Sequence, residues 1–165
     1  MPTPEFILEL RELIGTRPLW LSGVTAVVVR DTGSGDEILV IRRADNGRWA
    51  PVAGIIEPGE HPADTAEREI AEEAGVVAEV ERIAGIDVSA NVEYENGDSS
   101  QYLVVVVRCR WVSGDPYPVD GEALEARWVR MDALDELDPP LGEASLRRIG
   151  WAVTPGEAAA FRRAP

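Results

Sequence analysis

The sequence predicts an α/β domain, a mixed β-sheet packed between helices, on three observations. One helical segment, several strand-like runs, a second helical segment, more strand-like runs and a helical end follow one another along the chain. The strand-like runs are rich in β-branched residues, as in VTAVVVR (24–30) and YLVVVVR (102–108). Residues 62–74 carry apolar side chains at helical spacing, with Pro62 at the start and Gly75 just past the end.

In order, PEFILELRELIG (4–15) spaces Phe6, Ile7, Leu10 and Ile14 as a helix does, with Gly15 as the stop. The stretch from Pro18 to Pro51 is β-rich: VTAVVVR, a DTGSGDE turn and ILVIR (38–42) predict a hairpin. Residues 54–59 read as a loop or a short strand and turn. Strands are predicted over 76–88, 102–111 and 126–131, with a polar loop, SGDPYPVDGE, at 113–122. Residues 132–138 and 143–163 read as mostly helical, with a break near Pro155. The reading is a single domain over 1–165, with an N-terminal helix in 1–16 and a C-terminal helical segment in 141–165.

The chain has 165 residues, 45% of them hydrophobic, which suits one domain with a real core. Its N-terminus lacks the cationic start and apolar run of a signal peptide. The longest apolar run, Leu103–Val107, is too short to span a bilayer. A single cysteine, Cys109, forbids an internal disulfide and reads as a small buried residue. A cytoplasmic setting is expected. The net charge of −14 disfavours nucleic-acid polymers and anionic membranes as partners. A small phosphate ester bridged by a divalent cation is compatible with it.

The helix at 62–74 holds the unusual chemistry. At about 100° per residue, Glu69, Glu72 and Glu73 fall within an arc of about 100°. That arc borders the stripe formed by Ala63, Ala66, Ile70 and Ala74. A solvated acidic face is the ordinary explanation for such glutamates. However, like charges three and four residues apart destabilise a helix, and the macrodipole disfavours anions in its later half. Arg68 offsets part of this repulsion, and a hard cation such as Mg²⁺ offsets far more. Ahead of the helix, Gly54 and the Pro58-Gly59 turn let the backbone come close to a ligand. Glu60 is placed to meet the helix start, Arg68 or a metal-bound water.

These residues carry a family resemblance. The stretch from Gly54 to Val76 resembles the Nudix box, G-x5-E-x7-R-E-U-x-E-E-x-G-U. Gly54, Glu60, Arg68, Glu69, Ile70, Glu72, Glu73, Gly75 and Val76 fill its fixed positions. The leading hairpin, Trp49 and ARWVRMDAL (126–134) extend the likeness over roughly residues 20–140. The resemblance implies a Nudix-type α/β/α sandwich with a central mixed β-sheet. It also implies Mg²⁺- or Mn²⁺-dependent hydrolysis of a diphosphate linkage in a nucleoside diphosphate derivative. On that basis Glu69, Glu72, Glu73 and the Ala53 carbonyl are the metal ligands, and Arg68 holds the carboxylates. Gly54, Glu60 and Gly75 are structural members of the motif. Glu69, Glu72 and an acidic residue of the later loop compete as general base. Asp120, Glu122 and Glu125 are available there, and Glu122 is favoured.

Arg42, Arg43 and Arg48 are candidate phosphate contacts or surface ion pairs. Trp49 is a candidate for stacking on a base or for anchoring the core, and Tyr94 and Tyr102 are further stacking candidates. His61 reads as a capping or surface residue. The substrate is a nucleoside triphosphate, including an oxidised one, or a nucleotide sugar such as ADP-ribose. Ala53-Gly54 favours the latter. The lack of a proline in GIDVSANVEYE (85–95) counts against it. A non-catalytic nucleotide-binding regulatory module with the same fold is the alternative. An isomerase branch, acting on isoprenoid diphosphates, would need Cys109 as a catalytic group. The amphipathic N-terminal helix packs on its own sheet or on a partner chain, so a homodimer is among the arrangements expected.

Overall fold

The computed structural model describes residues 3–94, 96–156 and 158–161. Its elements are α1 (Glu5–Ile14), β1 (Leu19–Asp31), β2 (Asp36–Arg43), β3 (Trp49–Ala50), β4 (Val52–Ile55), α2 (Pro62–Ala74), β5 (Val77–Val88), β6 (Val92–Glu93), β7 (Ser99–Ser113), β8 (Ala123–Arg130), α3 (Glu143–Val153) and β9 (Ala160–Phe161), with a 3₁₀ turn at Met131–Glu136. Among the described residues the strands form one mixed sheet along the path β3-β2-β1-β7-β5-β9. β4 pairs with β1, β6 with β7 and β8 with β2.

The sheet is covered on both faces. Val24, Ala26 and Val28 of β1 pack with Ala66, Ile70 and Ala74 of α2 in one core. Val27 and Val29 pack with Leu134, Leu137, Leu141 and with Ile149 and Ala152 of α3 in the other. β1 is therefore buried continuously from Gly23 to Val29 rather than at alternate positions. The α/β/α arrangement expected from the element order is present.

The predicted hairpin forms only at its turn. β1 pairs with β2 over Val29–Asp31, then pairs antiparallel with β4 over Gly23–Ala26. On its other edge β1 runs parallel to β7 from Leu19 to Val29. This change of partner sets β4 beside α2.

The helical reading of 143–163 needs correction. α3 ends at Val153, where Arg82 donates to the carbonyls of Ala152 (2.8 Å) and Thr154 (3.0 Å) and supplies a cation at the helix C-terminus. Beyond it, Ala160–Phe161 pairs with Gly85–Ile86 of β5 as a short parallel strand. Residues 162–163 lie outside the described residues. Among those described, no helix is long and apolar enough to cross a membrane.

Candidate active site

α2 holds the acidic cluster in place. Pro62 occupies its first turn, and Gly75 ends it in a left-handed conformation with φ 63°. A Cβ on Gly75 would also run into the Tyr117 ring. His61 sits at the N-cap position but makes no side-chain cap bond and is exposed, so the capping role expected of it is not seen. Glu60 binds the helix start instead: its Oε2 accepts from Thr65 Oγ1 (2.9 Å) and from the Glu57 backbone N–H (3.2 Å).

Arg68 organises three carboxylates. It donates to Glu60 Oε1 at 2.7 Å and Oε2 at 3.0 Å, to Glu69 Oε1 at 2.8 Å and to Glu72 Oε2 at 3.1 Å. The bidentate pair with Arg68 holds Glu60 down to about 2. Glu69 and Glu73 behave oppositely. They are only 1% and 3% exposed. Burial pushes Glu69 up to about 7 despite Arg68. Burial, then the neighbouring Glu69, pushes Glu73 up to about 8. Glu72 differs again, with its side chain 43% exposed. The helical wheel placed all three at the border of the core, whereas two of them lie inside it.

β4 makes room for this. A Cβ on Gly54 would occupy the space of the Glu69 carboxyl group, so only glycine admits Glu69 there. Ala53, Gly54 and Glu69 line a cleft of about 530 Å³ that also takes in Arg43, Glu122 and residues of both faces of the sheet. Glu122 is half-buried and its backbone N–H donates to Asp120 Oδ1 at 2.9 Å. Asp120 is close enough to Glu73 to raise its affinity for a proton. The structure thus brings Glu69, Ala53, Arg43 and Glu122 to one cleft. Arg68 and Glu72 border a separate, shallow depression with Glu57–Glu60.

Three expected substrate contacts fall elsewhere. Trp49 is 2% exposed, packs in the core on the α3 side, and its indole N–H donates to the Asp138 carbonyl at 3.2 Å. It anchors the core and does not stack on a ligand, because its register opposite Arg42 points it into the α3 layer. Arg42 pairs with Glu125 at 2.9 Å and lies outside the cleft. Arg48 is exposed and also outside it. Cys109 is fully buried in β7, and burial pushes its thiol up to about 12, so it is a core residue and no nucleophile.

The donor set suits a hard divalent cation. It consists of oxygens, two of the carboxylates are buried, and Glu73 Oε2 has no hydrogen-bond partner among the described residues. Among those residues no three acidic, histidine or cysteine side chains already converge on one point. Like charges without a counter-ion spread apart, and here Arg68 takes two of the carboxylates.

The family model described as the NUDIX domain matches residues 21–149. The chain belongs to the Nudix family. A MutT-like protein of Streptomyces ambofaciens is 34% identical over 119 residues, covering 72% of this chain and 70% of that protein. The NAD-capped RNA hydrolase NudC of Pseudomonas aeruginosa is 35% identical over 112 residues, covering 65% of this chain. The chain spans only 35% of the length of that NudC. The Nudix domain of Shewanella oneidensis NrtR, solved in complex with ADP-ribose, shares the fold with a TM-score of 0.61 at 18% identity. The match covers 92% of this chain and 97% of that one. The Nudix match and the hydrolases among these relatives support an enzyme, a Nudix pyrophosphohydrolase.

Sequence reasoning missed several residues that line the cleft. Ile7 and Arg11 of α1 are among them, as are Asp98 and Arg148. The i,i+4 spacing of Ile7 and Arg11 places both on one helix face, which is the one signal available. Nothing local marks Asp98 or Arg148.

Proposed function

We propose that this Nudix protein hydrolyses a diphosphate linkage in a nucleoside diphosphate derivative, using Mg²⁺ or Mn²⁺. The observation that carries this reading is a pair of buried carboxylates on α2, Glu69 in the lining of the cleft and Glu73 one helical turn on, with Glu73 Oε2 lacking a hydrogen-bond partner among the described residues. Two anions in that setting are stable only if protonated or neutralised by a cation. Glu69, Glu73, the more exposed Glu72 and the Ala53 carbonyl would hold it. When bound, the cation neutralises phosphate charge and makes hydroxide available near neutral pH.

The chain's own groups do the rest. Arg68 ties Glu69 and Glu72 to the Glu60 hub, so the carboxylates keep their places when substrate enters. Arg43 is held by Asp45 through Nε and Nη2, at 2.9 and 2.8 Å, and offers its remaining nitrogen to a phosphate oxygen. Glu122 takes the proton of the attacking water, since it lines the cleft with Glu69 and is less buried than either Glu69 or Glu73. A cytoplasmic setting fits the acidic composition and the reduced, buried Cys109.

Because relatives carry the name NAD-capped RNA hydrolase, NAD joins nucleoside triphosphates and ADP-ribose on the panel of substrates to test. The test is release of nucleoside monophosphate or phosphate from that panel with Mg²⁺, repeated with Glu73→Gln. Turnover lost in the variant supports the reading. Metal binding with no turnover of any substrate would instead favour a nucleotide-binding regulatory module.

A further inference from the structure

The cleft runs beyond the acidic cluster into a region that the chemistry above leaves unused. Ile7 and Leu21 are 6% and 7% exposed, yet neither belongs to the two hydrophobic cores of the sheet. Both line the cleft. Gly23 lines it as well, beside Gly54. A Cβ on Gly23 would stand 3.2 Å from the Gly54 carbonyl and 3.5 Å from Cδ1 of Tyr102. Glycine at 23 therefore lets the Tyr102 ring and the Gly54 backbone come close together in the lining of the cleft. The Tyr102 hydroxyl is held 2.9 Å from that of Tyr94, which fixes the direction of the ring.

Arg148 reaches the same cleft from α3. Its side chain is 15% exposed and its Nε donates to Asp87, whose side chain is fully buried, at 3.1 Å. Its Nη1 lies 3.3 Å from Thr25 Oγ1. A guanidinium held this way has fixed donors and no acceptor. Apolar walls, a ring and one oriented donor fit a flat heterocycle with an acceptor on its edge.

We propose that Ile7, Leu21, Gly23 and Tyr102 seat the nucleobase of the substrate, and that Arg148 donates to an acceptor on the edge of that base. This rests on the pyrophosphohydrolase reading and names the recognition end of the same cleft. α1 supplies the wall at Ile7, and Arg11 fastens it there by donating to the Ser99 carbonyl at 2.9 Å and to Ser100 Oγ at 3.2 Å. α1 lies outside residues 21–149, the segment the Nudix model matches. Asp87 acts through Arg148 as a positioning residue.

The test is calorimetric binding of AMP, GMP, UMP and ribose 5-phosphate, with Mg²⁺ present, to wild type, Tyr102→Ala, Tyr102→Phe and Arg148→Met. At least one nucleotide should bind about tenfold or more tightly than ribose 5-phosphate, the gain expected of one stacked base. Tyr102→Ala and Arg148→Met should shrink that ratio towards one while leaving ribose 5-phosphate affinity in place. Tyr102→Phe should keep the ratio. A purely structural role would move melting temperature and not the ratio. If Arg148→Met fails to fold, Tyr102→Ala decides. A ratio near one in wild type, or an unchanged ratio in folded Tyr102→Ala, overturns the proposal. A base preference without turnover of any substrate would remove the hydrolase reading and leave the seat standing.

Discussion

Two helices of similar length border the cleft, and they are held in opposite ways. α2 buries Thr65, Ala66, Glu69, Ile70, Glu73 and Ala74. α1 buries Ile7, and Leu8 and Leu13 remain 52% and 84% exposed. α2 is fixed by a packed face and by the Arg68 hub, whereas α1 is held by buried Pro4 and Ile7, half-buried Phe6 and Ile14, and Arg11. Carboxylates that must keep a common geometry need the first kind of support, because a shift of about 1 Å costs reactivity heavily. A wall that only shapes a binding pocket tolerates the second. On the proposed reading, chemistry sits on the firmly packed helix and part of the base seat on the loosely attached one.

The sharpest way to break that contrast is Glu73→Gln. Turnover should fall by about a hundredfold or more, as for loss of a metal-site carboxylate, while the metal-free fold survives because the amide nearly preserves the size of the buried carboxyl group. Kinetics with saturating Mg²⁺ check the first half and thermal melting the second. An active Glu73→Gln enzyme would mean that the reaction does not need the Glu73 carboxylate.

Gly54→Ala comes next. The added methyl must displace the Glu69 carboxyl, at a cost of about 1–3 kcal/mol for an overpacked site. Both the melting temperature and turnover should drop. A variant with normal activity would show that Glu69 does not need its present position.

The third prediction concerns pH. Glu69 and Glu73 are raised to about 7 and about 8 in the fold from an ordinary value near 4.5. A raised carboxyl contributes stability that is fully present below the unfolded value and lost as pH rises through the folded one. Metal-free protein should therefore melt progressively lower from about pH 4.5 to about pH 8. Mg²⁺ should restore the loss at pH 8 and do little at pH 5. A flat profile in the absence of metal would deny the buried-carboxylate picture.

Smaller effects belong to α1. Arg11→Ala removes charge-assisted bonds to Ser99 and Ser100 and an ion pair to Asp98 at 3.4 Å. It should cost about 1–2 kcal/mol and raise KM several-fold with kcat nearly constant. Leu13→Ser, on the exposed face, should change stability by less than about 0.5 kcal/mol. A large fall in kcat for Arg11→Ala would erase the division of labour between the helices.

The α2 site was readable in the sequence because its information is local. Helical spacing, Pro62, Gly75 and the acidic triplet all lie within one short stretch, and the fold class followed from the order of β-branched runs. What escaped depends on partners far along the chain. The burial of Glu69 needs the missing Cβ at Gly54. The placement of Trp49 needs its register opposite Arg42 on β2. The strand at 160–161 is only two residues long, and its pairing with β5 decides its form. Arg148 reaches the cleft through Asp87, sixty-one residues earlier in the chain. No spacing rule connects such residues.

One consequence follows from the change of partner along β1. By leaving β2 it takes β4 along the same edge, and on the proposed reading α2 and α3 then both send side chains to one small molecule. The two halves of such a molecule are then handled by separate layers, and either layer can be redesigned while the other is left alone. A chain built this way can acquire a taste for a different nucleotide without relearning how to cut.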